Sequence, residues 1–195
     1  MIPVSKPENP IEEKKRQDLI RLISKKAKKQ GNFELASKYY IELGEKVKAI
    51  KCLIKLGDME RVITFANNAR ITDIYVIAAN FLQGADWHKN PDIIKYIITF
   101  YSKAKAFDRL ASFYDECAGV EIDEYRDYEK ALSALKDAAK YAQKSTAADK
   151  DAKLQQLQQK VFFVEKFLQS KQLLESNPNE MIKICQQLVE NVRIY

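Results

Sequence analysis

One short pattern recurs four times along this chain and constrains its fold more than any other feature. In the first copy, GNFELASKYY, Gly31 is followed by an aromatic residue two positions later, a small residue five positions later and an aromatic residue nine positions later. Related copies start at Gly57, Lys105 and Arg126. A glycine or polar residue suits a sharp turn, and a small residue lets a second helix lie close to the first. The pattern therefore predicts a series of helical hairpins.

Asparagine–proline pairs mark three helix starts, at Pro10, Pro91 and Pro178. Asparagine at an N-cap accepts a hydrogen bond from a free backbone N–H, and proline at the first helical position has no N–H to lose. Between these starts, apolar residues recur with the period of an α-helix. The sequence therefore predicts about ten helices joined by short connections.

The composition excludes several other fold classes. Only 5 Gly and 5 Pro occur in 195 residues, 46% of which are hydrophobic, so a turn-rich β fold and a disordered chain are both disfavoured. No apolar run approaches the length of a membrane helix, and we expect a soluble, intracellular protein. Since the repeated pattern resembles the tetratricopeptide (TPR) turn, the predicted fold class is an all-α, TPR-like α-solenoid of stacked antiparallel hairpins.

The sequence lacks the short motifs of common enzyme and metal sites. It has no Gly-rich phosphate loop, no Gly-x-Ser-x-Gly elbow and no His-Glu-x-x-His pair. Cys52, Cys117 and Cys185 lie far apart, so we expect small buried residues in a reducing compartment, not disulfides or zinc ligands. We therefore expect neither an enzyme nor a protein that holds a metal or cofactor.

A longer likeness runs from about Gly31 to Leu135 and continues more weakly to Glu190. Its most specific segments are AANFL (78–82), DW (86–87), FYDECA (113–118) and VEIDEY (120–125). In these segments the chain resembles the C-terminal TPR region of the intraflagellar transport protein 140 family, whose members are subunits of intraflagellar transport complex A. The likeness covers about half of the chain and is more specific than a general TPR pattern.

The resemblance implies a protein-interaction scaffold that supports retrograde ciliary transport and the import of membrane cargo into cilia. It implies other complex A subunits as partners, cargo adaptors as a further class, and a place in the cytoplasm and cilium, including the axoneme and basal body. Because the family carries N-terminal WD40 propellers, it also implies a piece of a longer chain. Two alternatives stay open: a TPR peptide-groove adaptor, and a protein that binds anionic membranes peripherally through its basic N-terminal helix.

The predicted domain organisation has two parts. Residues 1–9 are expected to form a flexible N-terminal segment, and residues 10–195 the helical repeat array. Gly119 and the acidic stretch from Glu121 to Glu124 suggest a joint near 119–125.

The first predicted helix carries the strongest charge feature, eight lysines and arginines between residues 14 and 29. A solvated face is one interpretation, and a surface for an acidic protein or for anionic lipid headgroups is another. Nucleic-acid readers usually add aromatic or glycine residues, which this helix lacks, so we expect no nucleic-acid partner. The candidate partner-binding residues on this helix are Lys25, Lys26, Lys28 and Lys29.

The turn from Asp86 to Asn90 contains the only tryptophan and the only histidine of the chain. Trp87 suits either a cap on the helix that starts at Pro91 or an anchor for a partner. His88 has no second histidine with which to form a metal site and is expected to be a solvated turn residue. Trp87 and His88 complete the set of candidate partner-binding residues.

A long helix near the C-terminus carries a regular apolar stripe with steps of three and four residues, typical of a coiled-coil seam. The stripe consists of Leu154, Leu157, Val161, Val164 and Leu168. It fits packing within the helical stack, and it also fits docking of another subunit or of a second copy.

Overall fold

The computed structural model describes residues 9–192, and within that range the chain forms ten α-helices and one π-helical turn, with no strand. The chain divides into two compact units between Lys105 and Ala106. The first unit contains α1 (Pro10–Lys29), α2 (Phe33–Glu42), α3 (Lys46–Leu56), α4 (Met59–Ala69), α5 (Thr72–Gln83) and α6 (Pro91–Ala104). The second contains α7 (Phe107–Val120), the π turn (Glu121–Tyr125), α8 (Tyr128–Lys144), α9 (Lys150–Ser176) and α10 (Pro178–Val192). The predicted all-α class is confirmed.

All four copies of the repeated pattern begin with a left-handed residue and lead directly into a helix. The φ angle is 80° at Gly31, 74° at Gly57, 54° at Lys105 and 55° at Arg126. Helices α2, α4, α7 and α8 start two residues after these positions. The glycines adopt this conformation without strain, whereas the lysine and the arginine adopt it at a cost.

The small or apolar residue of each copy is completely buried. Ala36, Val62, Leu110 and Ala131 occupy this position, and each has 0% exposure. Each lies in the first turn of its helix, where a side chain too large to be buried would increase the distance to the preceding helix. The position that the pattern predicts to be small or apolar is therefore buried in every copy.

The three predicted asparagine–proline helix starts are confirmed. The Asn9 side-chain oxygen accepts from the Ile11 amide, and that of Asn90 accepts from the amides of Asp92 and Ile93. Asn177 accepts from the Glu180 amide and donates to the Glu180 carboxylate, which forms a reciprocal cap. Each such cap typically stabilises a helix by about 1 kcal/mol.

In the second unit, the apolar stripe of α9 packs against α7 and α8. Leu157 and Val164 belong to a buried cluster with alanines of both helices, and Leu154, Val161 and Leu168 pack on its edge. Lys160 of α9 also donates to the Asp115 carboxylate of α7, 2.7 Å from Oδ1. The stripe thus faces the core of its own unit.

The predicted joint near 119–125 coincides with the π turn. Helix α7 runs directly into this turn, and the Asp127 amide bonds to the Glu121 carbonyl at 2.9 Å. The division between the two units lies earlier, after Lys105. Residues 1–8 of the predicted N-terminal segment lie outside the described residues, and Asn9 is the cap of α1. The domain boundaries remain a prediction.

Candidate partner-binding surface on the first helix

The sequence of α1 places its charges according to the helix dipole. Glu12 and Glu13 lie in the first turn, and Lys26, Lys28 and Lys29 lie in the last turn. This order favours the helix, because acidic groups suit its N-terminus and basic groups its C-terminus. One face of α1 is buried through Ile20, Ser24 and Ala27, whereas Lys25, Lys26, Lys28 and Lys29 are exposed.

The two arginines of α1 pair with carboxylates of neighbouring helices. The Arg16 guanidinium donates to Glu42 at the end of α2. The Arg21 guanidinium donates to the Glu45 carboxylate, with 3.1 Å between Nε and Oε1, and to Asp18 on its own helix at 3.0 Å. Part of the predicted basic face therefore holds the unit together.

The four candidate lysines belong to the unpaired part of that face, together with Lys14 and Lys15. Lys25, Lys26, Lys28 and Lys29 are all exposed. Within residues 9–192, no carboxylate forms an ion pair with any of them. Their ammonium groups are therefore open to an external anion or to a carboxylate of a partner.

Helix α3 runs beside α1 in the same direction and extends this surface. Arg21 of α1 pairs with Glu45, the residue before α3, and Ala27 near the end of α1 shares a buried cluster with Ala49 and Cys52 of α3. Burial raises the pKa of the Cys52 thiol, and the nearby Lys28 ammonium opposes that rise. Residues further along α1 therefore lie with residues further along α3, as expected when the two helices run in the same direction.

The exposed sides of α1 and α3 face the same way. Ala27 of α1 and Ala49 of α3 belong to one buried cluster with Ala36 of α2. Because both helices pack toward α2, their outer faces point away from it together. Lys51 and Lys55 of α3 are exposed. The lysine surface, as we define it, consists of Lys25, Lys26, Lys28, Lys29, Lys51 and Lys55.

The turn with Trp87 and His88 connects α5 and α6, neither of which carries a residue of the lysine surface. Trp87 is buried, with 5% exposure, and its ring centroid lies 4.0 Å from that of His88. His88 is half-buried, and no described residue forms a hydrogen bond with its Nδ1. Asp86 and Lys89 of this turn are exposed and form an ion pair at 3.7 Å. Partner binding at Trp87 and His88 remains a prediction. Only 5% of the Trp87 surface is exposed to a partner.

A groove of about 740 Å³ lies between α2 and α4 and was not predicted from the sequence. Ile41, Leu53 and Phe65 supply apolar lining. At its rim, Arg61 donates to Glu34 at 3.2 Å and pairs with Asp58 at 3.1 Å. The repeated pattern indicates where α2 and α4 begin, but not that side chains of two separate hairpins would leave this gap.

No group of three or more His, Cys, Asp or Glu side chains between residues 9 and 192 is arranged to hold a metal ion. No helix in that part of the chain combines the length and the apolar character required to cross a membrane.

Comparison with protein families matches both parts of the chain. The family model described as the TPR domain of intraflagellar transport proteins 140 and 172 matches residues 2–100. The model described as the C-terminal TPR domain of intraflagellar transport protein 140 matches residues 108–194. These ranges correspond to the two compact units, and together with the all-helical structure they confirm the predicted TPR-like solenoid class. The chain belongs to this intraflagellar transport TPR family and carries the C-terminal TPR region of a protein of the intraflagellar transport protein 140 type.

Proposed function

We propose that this chain is a protein-interaction scaffold of intraflagellar transport complex A. In this function it binds and positions other complex A subunits, supports retrograde ciliary transport and the import of membrane cargo into cilia, and carries out no chemical step. The observation that supports the proposal most is the match of both compact units to TPR models of the intraflagellar transport protein 140 type. Stacked helical hairpins offer the long surfaces that a scaffold requires.

The lysine surface is the partner-binding region that we assign to this scaffold. Its charges are exposed and unpaired within residues 9–192, whereas Arg16 and Arg21 on the same helix already have carboxylate partners. Exposed lysines of one sign attract an acidic partner and increase its rate of association. Cargo adaptors with acidic segments would be attracted in the same way.

Affinity capture from a ciliated-cell lysate tests the proposed function. The bait is the tagged chain, and the bound proteins are identified by mass spectrometry. We expect complex A subunits to be recovered, and we expect less recovery when Lys25, Lys26, Lys28 and Lys29 are all changed to glutamate. A variant with Lys105→Glu and Lys183→Glu reverses exposed charges elsewhere and serves as a control. Recovery of no complex A subunit by a folded wild-type bait would refute the proposal.

The groove between α2 and α4 favours a second candidate, a peptide-groove adaptor. Its volume lies within the range of pockets that hold small ligands, and it combines apolar lining with charged groups of both signs. Fluorescence anisotropy with labelled peptides that end in acidic residues tests this candidate. Ile41 is 48% exposed in the groove, so Ile41→Glu should abolish binding, whereas Ile182→Glu, at a residue equally exposed in α10, should not. Equal binding by both variants would rule out the groove.

A further inference from the structure

We infer that the groove between α2 and α4 binds an extended segment of a partner protein. This segment carries an apolar side chain and, two residues away from it, an aspartate or a glutamate. The inference rests on the peptide-groove candidate described above and specifies the conformation and the chemistry of its ligand.

Three consecutive helices of the first unit form the groove. Connections of only two or three residues join α2 to α3 and α3 to α4, so each connection reverses the chain and α2 and α4 run in the same direction. Leu53 of α3 lines the groove from between these two walls and is 5% exposed. On the α4 wall, Arg61 and Asn68 are seven residues apart, about 10 Å along the helix axis. This length suits about three residues of an extended chain.

Two polar side chains on the α4 wall repeat with nearly the period of an extended chain. Thr64 and Asn68 are exposed, and within residues 9–192 neither side chain forms a hydrogen bond. They are about 6 Å apart along the helix axis, close to the ~6.7 Å that separates alternate residues of a strand. Both side chains can donate and accept, so they suit the free N–H and C=O groups of an extended segment. A helical ligand offers few such groups, because its backbone is already paired internally.

The apolar lining of the groove selects the apolar residue of the ligand. Ile41 on the α2 wall is 48% exposed, and Phe65 on the α4 wall is half-buried. An apolar side chain that enters between these walls removes the exposed surface of Ile41 from water and reaches toward Leu53.

Lys38 selects the acidic residue of the ligand. It lies in the middle of the α2 wall, is exposed, and forms no ion pair with any residue from 9 to 192. The other cation of the groove, Arg61, already pairs with Glu34 at 3.2 Å and with Asp58 at 3.1 Å. Glu60, in the first turn of α4, repels an acidic residue at that end of the groove. A ligand carboxylate is therefore attracted to Lys38.

The positions of Lys38 and Ile41 set the spacing in the ligand. They are three residues apart on α2, about 4.5 Å along the helix axis. Adjacent residues of an extended chain point to opposite sides, so two ligand side chains face the same wall only when they are two residues apart. The flexible lysine side chain covers the difference between 4.5 Å and the ~6.7 Å of an extended chain.

Fluorescence anisotropy with the whole chain and a defined peptide tests the inference. The probe is Glu-Thr-Leu-Thr-Glu, labelled at its N-terminus and amidated at its C-terminus; its symmetry places a glutamate toward Lys38 in either chain direction. We expect saturable binding to the wild type and at least a fivefold loss of affinity for Lys38→Glu. This variant should bind Lys-Thr-Leu-Thr-Lys more tightly than the wild type does. No saturable binding of the first peptide up to about 1 mM would overturn the inference.

Matched variants separate the groove from general charge attraction. Lys51→Glu reverses another exposed lysine of the first unit, outside the groove lining, and should bind the probe like the wild type. Thr64→Val with Asn68→Ala removes the polar partners without a change of charge and should weaken binding severalfold. Circular dichroism should show all variants equally helical. Equal losses in Lys38→Glu and Lys51→Glu would contradict the inference, because binding would then follow net charge.

The outcomes distinguish this inference from the functions proposed above. If Ile41→Glu abolishes the binding of peptides with acidic ends but Lys38→Glu has no effect, the groove adaptor stands and the ligand chemistry inferred here is wrong. If the probe binds only with a free C-terminal carboxylate, the groove holds a chain terminus and the inference is overturned. If no peptide binds, the groove candidate fails as well, whereas the scaffold function is decided by the recovery of complex A subunits alone.

Discussion

The Arg21 guanidinium donates to the Glu45 carboxylate, 3.1 Å away, and so connects the middle of α1 to the residue that precedes α3. Lys48 donates to the second oxygen of the same carboxylate at 2.6 Å. Glu45 is therefore held between two cations from two helices. This arrangement joins the middle of α1 to the start of α3.

Glu45→Gln should destabilise the first unit in a pH-dependent way. The hydrogen bond from Lys48, together with Arg21, lowers the pKa of Glu45 below its ordinary value of 4.5. A lowered pKa stabilises the fold above the unfolded-state value, and that contribution is lost as pH falls through the folded-state pKa. Urea unfolding should show a loss of about 1 kcal/mol or less at pH 7 and a smaller loss at pH 3. Glu60→Gln, at an exposed residue of α4, is the control; an equal effect of Glu45→Gln at both pH values would contradict the account.

Backbone conformation predicts opposite effects at Gly57 and Lys105. Both have positive φ, so Gly57→Ala should destabilise the protein and Lys105→Gly should stabilise it, each by about 1 kcal/mol. Steric crowding does not cause the expected destabilisation at Gly57, because a Cβ there would meet no atom within 4 Å. Gly84→Ala is the control, since Gly84 has a helical φ of −77° and room for a methyl group. Thermal unfolding measures all three, and a Gly57→Ala variant as stable as Gly84→Ala would contradict the prediction.

Trp87→Ala should lower the free energy of unfolding of the first unit, whether or not a partner is present. The side chain is 5% exposed, and removing a buried large aromatic side chain typically costs about 3–5 kcal/mol. Trp87→Phe should cost less because it preserves most of the ring volume. Tyr125→Ala, at a residue with 52% exposure, is the matched control for loss of an aromatic ring. Unchanged urea unfolding of Trp87→Ala with loss of partner binding would instead identify Trp87 as an anchor.

The Cys117 thiol should resist alkylation in the folded protein. Burial, with smaller contributions from Glu116 and Glu121, raises the pKa of Cys117 to about 12. At pH 8 the reactive thiolate is therefore scarce. We expect iodoacetamide to modify Cys117 rapidly in urea and slowly in buffer, as followed by peptide mass spectrometry. Similar rates in both solutions would show that this thiol is accessible and reactive.

Local patterns in the sequence predicted the positions of most helices. The residue five positions into each repeat copy, such as Ala36 or Ala131, is fully buried, and the asparagines before Pro10 and Pro91 cap their helices. These features depend on residues only a few positions apart. The turn at Lys105 could be predicted although it contains no glycine, because the residues that follow it repeat the same local pattern.

The candidate surface required contacts between distant residues. Eight basic residues of α1 look alike in the sequence, yet Arg16 and Arg21 have carboxylate partners more than twenty residues away, and Lys25 has none within residues 9–192. The contribution of Lys51 follows only from the packing of α1 and α3, which share a buried cluster. Likewise, the sequence left open whether Trp87 caps the helix that starts at Pro91 or anchors a partner, and only the structure shows that its side chain is covered.

Reconstitution with purified complex A subunits tests the central claim most directly. The chain is mixed with the remaining subunits at micromolar concentration, and size-exclusion chromatography with light scattering gives the mass of each species. A scaffold of complex A should elute with its partner subunits at their combined mass, and glutamates at Lys25, Lys26, Lys28 and Lys29 should shift it to later fractions. Elution of the folded wild-type chain at its own mass in every mixture would contradict the account.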